Sequence, residues 1–303
     1  MREDDFLEWI RSRGVSQPKR VPVGPGDDCA VVGLGGERLV LTTDQLLCGV
    51  HFTEDIEPRL VGRKAMNRGL SDVAAMAAVP VCAVATLAAP PDFPRESAEG
   101  VYTGLREAGD AFDCPLVGGD VAGWKGPLAL SVTVAAAPGS TGWVLRSGAK
   151  VGDAVCVTGS FGGAWKGRRH LEFTPRIAEA KALAENYRLH SMIDVSDALS
   201  LDLWRICRSS GVGAELFASA VPVSDEVPAG DDAERLSAAL GDGEDYELLF
   251  TLCEADANRL IEDNPLDVPV ARVGRIIAEQ NLALVDPDGG RRPATPTGWE
   301  HEL

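Results

Sequence analysis

Acidic residues in this chain cluster at the ends of apolar segments, next to Gly, Ser or Thr. One aspartate in such a position is usually a turn former or a helix N-cap. Six such clusters are harder to explain in that way. Where carboxylates converge in the fold, they raise each other's pKa and destabilise the folded protein. The fold must keep them apart or supply cations between them. The clusters are GDD (26–28), TTD (42–44), LSD (70–72), GGD (118–120), IDVSD (193–197) and GDGED (241–245).

Hard divalent cations are the usual means of holding several carboxylates together, and Mg²⁺ prefers oxygen ligands that it shares with a phosphate. The hydroxyls of Thr42, Thr43 and Ser196 suit that ligand set. The net charge is −17, from 29 basic and 46 acidic residues. Such a chain gains no counterion-release energy from nucleic acid and is repelled by an acidic membrane face. We therefore expect no nucleic-acid or membrane partner, and metal cations wherever phosphates bind.

The hydrophobic pattern predicts a mixed α/β protein with two domains, residues 1–138 and 139–303. The boundary rests on the polar, Gly- and Ser-rich segment 138–153, which lies between two apolar strands. Helices are predicted over 2–13, 58–77, 95–112, 175–186, 197–209, 231–240 and 254–263. Strands are predicted over 28–32, 38–43, 81–88, 128–136, 154–160, 213–217, 246–252, 269–275 and 282–285.

Nothing in the sequence favours a membrane or secreted protein. The uncharged stretch 73–89 is Ala-rich and contains Pro80, which favours a helix end, a turn and a buried strand. The N-terminus MREDDFLEWI is acidic where a signal peptide is basic. Seven cysteines are scattered without a CxxC motif, as is typical of reduced core thiols. We therefore expect a cytoplasmic protein.

Motifs of familiar catalytic machinery do not fit. The segment GGDVAG has the glycine spacing of a phosphate loop, but Trp124 stands where a lysine is needed. No GxSxG motif occurs, and four histidines leave hydrolase triads poorly supplied. The segment DGEDYE lacks the spacing of a calcium-binding EF-hand. The acidic clusters therefore remain the main candidates for chemistry.

Three single residues each leave a structural and a functional interpretation open. Arg146, in LRSGAK, is either a solvated loop charge or a fork for phosphate. His51, in CGVHF, is either a satisfied surface group or a ligand-binding residue. Trp299, near the C-terminus, either packs against the protein or offers a stacking platform to a flat ring.

The acidic clusters, in this order over nearly the whole chain, resemble the thiamine-monophosphate kinase family of the AIR-synthase-like ATP-binding superfamily. The context of His51 and the block Glu244-Asp245-Tyr246-Glu247 are similar to the kinases in particular. The aspartate clusters alone are shared with AIR synthase, selenophosphate synthetase and hydrogenase-maturation relatives. The segments that carry the resemblance are GDDCAVV, TTDQLLCGVHF, KAMNRGLSDVAAMAAVP, LVGGDVAG, LRSGAKVGD, IDVSDALSLDL and GDGEDYELLF.

The resemblance implies a two-domain α/β fold, a homodimer formed through the N-terminal domains, and Mg²⁺-dependent transfer of the ATP γ-phosphoryl group to thiamine monophosphate. Several Mg²⁺ ions are implied, with Asp28 as a ligand. We expect the neighbouring Asp27 to order either the loop or the waters of the metal. The implied metal ligands are Asp28, Thr42, Thr43, Asp44, Asp72, Asp120, Asp194 and Asp197. The implied ATP contacts are Gly119, Asp120, Arg146, Ser196 and Tyr102. The implied substrate contacts are His51, Glu244 and Trp299.

The chain departs from the family pattern in four places. Gly69 replaces the asparagine of VNLSD, since the segment reads NRGLSD, and Ala77 and Ala198 stand at common glycine positions. The segment 160–176 is shorter than the helix-bearing connection usual there. Two alternatives to the kinase are another enzyme of the superfamily and a catalytically silent nucleotide-binding protein. Selenophosphate synthetase calls for a reactive cysteine in a Gly-rich N-terminal segment, which is not evident, and retention of every candidate metal ligand argues against a silent protein.

Overall fold

The computed structural model describes residues 3–15, 17 and 19–301, and it contains two β-sheets with helices packed against them. The first sheet has the strand order β1-β2-β5-β3-β4 and is antiparallel except for the β3–β4 pair. Its strands are β1 (Ala30–Leu34), β2 (Glu37–Leu47), β3 (Val79–Ala89), β4 (Leu116–Gly123) and β5 (Ala129–Ala137). The helices of this half are α1 (Glu3–Arg13), α2 (Pro58–Ala75) and α3 (Arg95–Asp110).

One face of the first sheet is buried and the other is open. Burial alternates along β5, so that Val132 and Val134 enter the core while Ser131 and Thr133 point outward. On the outer face, Thr133 Oγ1 donates a hydrogen bond to Thr43 Oγ1 at 3.0 Å. A period of two residues with one solvated face is what an antiparallel sheet of this kind requires.

The second sheet has seven strands in the order β12-β11-β8-β10-β6-β9-β7. Every residue of its central strands β6 and β9 is buried, because helices cover both faces. The strands are β6 (Ala154–Thr158), β7 (Leu189–Asp194), β8 (Gly213–Phe217), β9 (Leu248–Leu252), β10 (Val270–Ile277), β11 (Leu282–Val285) and β12 (Arg291–Ala294). The helices are α4 (Ile177–Asn186), α5 (Leu199–Ser210), α6 (Asp232–Gly241) and α7 (Glu254–Asp263).

Helices α2 and α3 cross at glycines. A Cβ atom on Gly62 would lie 2.0 Å from the carbonyl oxygen of Val101, and one on Gly104 would lie 1.9 Å from that of Arg59. Two helix backbones can approach this closely only where a side chain is missing from each. The contact fixes the position of α2, which carries several residues of the site described below.

Helix α2 belongs to the first half, but its polar residues reach into the second. Ser71 Oγ donates to Asp194 Oδ2 at 2.6 Å, and Asn67 Nδ2 donates to the carbonyl oxygen of Phe173 at 2.7 Å. Leu171 comes after β6, in the second half of the sequence, but its side chain is fully buried in the core of the first half. The two halves therefore share one interface along α2.

The predicted mixed α/β fold is confirmed, and every predicted helix and strand is present. The bounds of β8, β11 and α7 match the prediction, and the other elements have shifted ends. Arg2, the first residue of the predicted helix 2–13, lies outside the described residues. Three strands escaped prediction, namely β4, β7 and β12. The glycines of β4 indicate a loop, whereas in the structure they permit close pairing: a Cβ atom on Gly119 would lie 1.8 Å from the carbonyl oxygen of Ala85.

The uncharged stretch 73–89 forms the end of α2, a turn and strand β3, as predicted. The prediction that this strand is buried is wrong for the single chain, because one face of the sheet is open and Val79, Val81 and Val84 are exposed on it. Among the described residues, no helix combines the length and the apolar character needed to cross a bilayer. Residues 138–153 connect the two sheets. The placement of the domain boundary between 138 and 139 stays a prediction.

Candidate active site

Three of the predicted metal ligands converge where the two halves meet. Asp28 lies in the loop before β1, Asp72 in α2, and Asp194 at the end of β7. One carboxylate oxygen from each lies within 4.8 Å of the others. These side chains come from distant parts of the sequence, and the interface along α2 brings them together.

Hydrogen bonds orient this carboxylate cluster. Thr42 Oγ1 donates to Asp72 Oδ2 at 2.5 Å, and Ser71 Oγ donates to Asp194 Oδ2 at 2.6 Å. Burial, and then the neighbouring aspartates, raise the pKa of Asp72 well above its ordinary value. Burial and Asp28 raise the pKa of Asp194 to about 8. The protein alone thus holds these groups at an electrostatic cost that a cation would relieve.

Asp28 shows most directly that a cation fits. Its Oδ1 accepts a hydrogen bond from Arg146 Nη2 at 2.6 Å, whereas its Oδ2 is buried and has no partner among the described residues. Three carboxylates with an unpaired buried oxygen and neighbouring hydroxyls form an all-oxygen donor set, which suits Mg²⁺. Asp27 binds instead to the backbone N–H of Arg146 at 3.0 Å, a geometry that orders the loop.

Arginines pair with further predicted metal ligands. Arg205 Nη1 forms a short ion pair with Asp197 Oδ2 and also contacts Asp202 Oδ1 at 2.6 Å. Arg68 Nη2 lies 3.4 Å from Asp44 Oδ1, which is long for a charge-assisted hydrogen bond. In the absence of a cation, arginines therefore partly neutralise the acidic site.

A pocket of about 390 Å³ lies next to the carboxylate cluster. All three predicted substrate contacts line it, and Arg68, one helical turn before Asp72, forms part of its wall. The side chain of Trp165, in the short segment 160–176, lines the same pocket. The lining residues are Gly49, Val50, His51, Arg68, Trp165, Ser196, Asp197, Asp242, Glu244, Tyr246, Trp299 and His301.

His51 is held as a neutral imidazole. Its Nδ1 accepts a hydrogen bond from the backbone N–H of Leu47 at 3.0 Å, which leaves the proton of the neutral ring on Nε2. Burial, followed by the charges of Arg68 and Lys64, lowers the pKa of His51 to about 3. The ring centroid lies 5.5 Å from that of His301. At neutral pH this histidine offers the pocket a hydrogen bond and no charge.

Glu244 is fixed by a lysine that is itself completely buried. Lys64 Nζ lies 2.5 Å from Glu244 Oε2 and donates to the carbonyl oxygen of His51 at 2.7 Å. Burial lowers the pKa of Lys64 to about 8, against the opposing effect of the Glu244 carboxylate. Glu244 adopts a left-handed backbone conformation with φ of 62°. The lysine thus connects both sides of the pocket, and it offsets part of the strain at Glu244.

Four predicted site residues lie elsewhere in the single chain. Gly119, Asp120 and Tyr102 border a separate groove of about 470 Å³ between α3 and β4. The pairing of the strands puts Asp120 opposite Thr86, three strands away from β2. The hydroxyl of Thr43 lies on the outer face of the sheet, opposite to Thr42 and Asp44. Their roles as metal or ATP contacts stay predictions.

Sequence reasoning missed the cationic residues of the site other than Arg146. Lys64, Arg68 and Asp72 are spaced by four residues and therefore share one face of α2. That spacing was the available signal, but a charged stripe on a helix is also typical of a solvated surface. Arg205 lies on α5, where it binds Asp202 on the same helix and Asp197 just before the start of that helix.

Two family models match most of the chain. The AIR synthase related protein N-terminal domain matches residues 26–137, and the corresponding C-terminal domain matches residues 150–287.

Curated relatives match over almost their full length. The thiamine-monophosphate kinase of Rhodopirellula baltica is 40% identical over 298 residues, covering 92% of this chain and 91% of the relative. That of Escherichia coli K12 is 33% identical, covering 98% and 95%. A solved structure described as AaThiL complexed with AMPPCP and TMP is 28% identical, has a TM-score of 0.83, and covers 99% of this chain and 97% of that one.

Proposed function

The chain belongs to the AIR synthase related family and to its thiamine-monophosphate kinases, and we propose that it transfers the γ-phosphoryl group of ATP to thiamine monophosphate. The products are thiamine diphosphate and ADP. The observation that carries this proposal is the cluster of Asp28, Asp72 and Asp194 beside a pocket lined by His51 and Glu244. Buried carboxylates next to a ligand-sized pocket are suited to cation-assisted phosphoryl transfer.

The chemistry requires positioning and charge neutralisation more than proton transfer. An oxygen of the acceptor phosphate attacks the γ-phosphorus, the bond to the β,γ-bridging oxygen breaks, and ADP leaves with the electron pair. That acceptor oxygen is already ionised at neutral pH, so no side chain has to act as a base. The neutral His51 agrees with this, because its low pKa suits a hydrogen-bonding role.

Mg²⁺ is the cofactor that the donor set supports, and when bound it neutralises the repulsion between the two polyanionic substrates. Asp28, Asp72 and Asp194 would hold it, and the unpaired Asp28 Oδ2 is the observation in its favour. Further proposed ligands are Thr42, Thr43, Asp44, Asp120 and Asp197. Proposed ATP contacts are Gly119, Asp120, Arg146, Ser196 and Tyr102, and proposed contacts to thiamine monophosphate are His51, Glu244 and Trp299.

A homodimer is part of the proposal. Strand β4 pairs on one side only within the described part of the chain, and Val117 and Val121 on it are 61% and 77% exposed. Such an edge favours pairing with another chain. Asp120 lies on this edge strand, remote from the carboxylate cluster, so a second copy would have to bring it to a site. We also propose a cytoplasmic location, which the seven free cysteines support.

The test is a direct assay of the purified protein with ATP, thiamine monophosphate and millimolar Mg²⁺, with products separated by ion-pair chromatography. Thiamine diphosphate and ADP should appear in equal amounts, and chelation of Mg²⁺ should stop their formation. ADP without thiamine diphosphate would show another acceptor or simple hydrolysis. Nucleotide binding without any product would favour the silent nucleotide-binding protein.

A further inference from the structure

Arg68 has more hydrogen-bonding capacity than the chain uses. Its Nε and Nη1 are buried and have no partner among the described residues, and its Nη2 has only the 3.4 Å contact to Asp44. Ordinary charge-assisted hydrogen bonds are about 2.7–2.9 Å long. A buried guanidinium without good partners is costly to the fold, and an anion in the adjoining pocket would supply them.

The other cations of the site are already compensated at short range. Lys64 Nζ lies 2.5 Å from Glu244, Arg146 Nη2 lies 2.6 Å from Asp28, and Arg205 binds Asp197 and Asp202. Arg68 has the longest of these pairings and lines the pocket directly. Asp44, Glu244 and Asp72 lie near enough to stabilise its charge, but none of them gives its guanidinium a hydrogen bond of ordinary length. Arg68 is thus the cation best placed to donate to a bound anion.

Position along the pocket indicates which anion. Arg68 lies on α2 between Lys64, which fixes Glu244, and Asp72 of the carboxylate cluster. Lys64 contacts His51, whose ring lies beside His301 and, through it, near Trp299. Arg68 therefore stands between these rings and the carboxylate cluster, where a phosphoryl group would be transferred. A phosphate monoester whose organic part occupies the pocket would place its phosphate at that junction.

We propose that Arg68 binds the phosphate group of the acceptor, thiamine monophosphate, and so selects the phosphorylated form over thiamine; this rests on the proposed function. The guanidinium gives up its long contact to Asp44 and donates to the phosphate oxygens. Arg68 lies in NRGLSD, where this chain departs from VNLSD, so the resemblance does not supply this residue.

The experiment compares Arg68→Gln with Arg63→Gln. Arg63 is a matched control on the same helix, since its Nε is also buried without a partner and its Nη2 donates to the carbonyl oxygen of Glu172, away from the pocket. Dissociation constants for thiamine monophosphate, thiamine and ATP are measured by calorimetry without turnover. Arg68→Gln should weaken binding of thiamine monophosphate about 10- to 100-fold and leave the other two within about twofold. Arg63→Gln should change none of them.

Steady-state kinetics give an independent readout: KM for thiamine monophosphate should rise in Arg68→Gln while KM for ATP stays constant. Equal weakening of thiamine and its monophosphate, an effect on ATP alone, or no effect would each overturn the assignment. If Arg68→Gln fails to fold, Arg68→Lys keeps the charge without the planar donors and should weaken the monophosphate selectively. A wild-type protein that binds thiamine monophosphate but makes no diphosphate refutes the proposed function and leaves the Arg68 test intact; one that binds none refutes this inference as well.

Discussion

The glycine contact between α2 and α3 allows a quantitative test of how tightly the site is supported. In Gly104→Ala, the new Cβ atom would lie 1.9 Å from the carbonyl oxygen of Arg59, whereas contacts under 3.0 Å essentially do not occur. The helices must therefore separate by about 1 Å or more. Overpacking of this kind costs about 1–3 kcal/mol or more, and the better helix propensity of alanine returns at most about 1 kcal/mol.

Gly100→Ala is the matched control, one turn earlier on α3. Its Cβ atom would lie 3.1 Å from Cβ of Pro58, a tight contact that a movement of a few tenths of an ångström at Pro58, the first residue of α2, relieves. We expect this variant to be neutral or stabilised by up to about 1 kcal/mol. The gain in helix propensity is common to both variants, so they should differ by the overpacking cost, about 1–3 kcal/mol in the free energy of unfolding, measured by urea denaturation followed by circular dichroism.

Activity provides the second readout, because a displaced α2 carries Lys64, Arg68 and Asp72 with it. At a temperature where both variants are folded, kcat/KM should fall in Gly104→Ala and stay close to wild type in Gly100→Ala. Equal stability of the two variants would refute the reasoning from backbone contact. A loss of stability in Gly104→Ala without any change in its kcat/KM would refute the link from this contact to the site.

Three further predictions concern the site itself. Asp72→Asn should lower kcat at least about 100-fold in the product assay, while the metal-free protein becomes no less stable in urea, because the substitution removes a buried charge. Lys64→Met leaves Glu244 unpaired, so it should lower the free energy of unfolding in urea by about 2–3 kcal/mol and raise KM for thiamine monophosphate. The double variant with Glu244→Gln should recover part of that stability. In EDTA, the melting temperature should fall as pH rises from about 4 to 8. The pKa values of Asp194 and Asp245 are raised to about 8 in the folded protein, so the folded protein holds these protons more tightly than the unfolded protein does. Mg²⁺ should stabilise the protein more at pH 8 than at pH 6, and a melting temperature that is independent of pH and of Mg²⁺ would contradict this account.

Periodicity and turn chemistry were enough to predict most elements, since apolar strands and capped helices follow local rules. Strand β4 escaped because glycines weaken the strand signal, and the reason for them lies in its partner strand: Gly119 must approach the carbonyl of Ala85. Nothing in the sequence of residues 116–123 indicates which strand lies next to them. The same limit applies wherever a residue is chosen for a tertiary contact.

The carboxylate cluster could be anticipated in part. Asp28, Asp72 and Asp194 each end an apolar segment, and the structure brings them together. The resemblance implied Thr42, Thr43 and Asp44 as ligands together, but side chains alternate along a strand, and Thr43 lies on the face opposite to Thr42. The ion pairs of the arginines could not be predicted from the sequence, because only the packed interface shows which carboxylate each arginine contacts.

The hydrogen bonds of α2 also restrict how ligands enter. Opening the two halves as rigid bodies would break Ser71–Asp194, Asn67–Phe173 and the buried Lys64–Glu244 pair at once. A clamshell motion is therefore the most expensive route to the pocket. Entry and product escape have to use the rim instead, where 49–51, the Trp165 segment and the tail around Trp299 meet solvent. We therefore expect substitutions at the rim to change the rates of ligand entry and release before they change the rate of the chemical step.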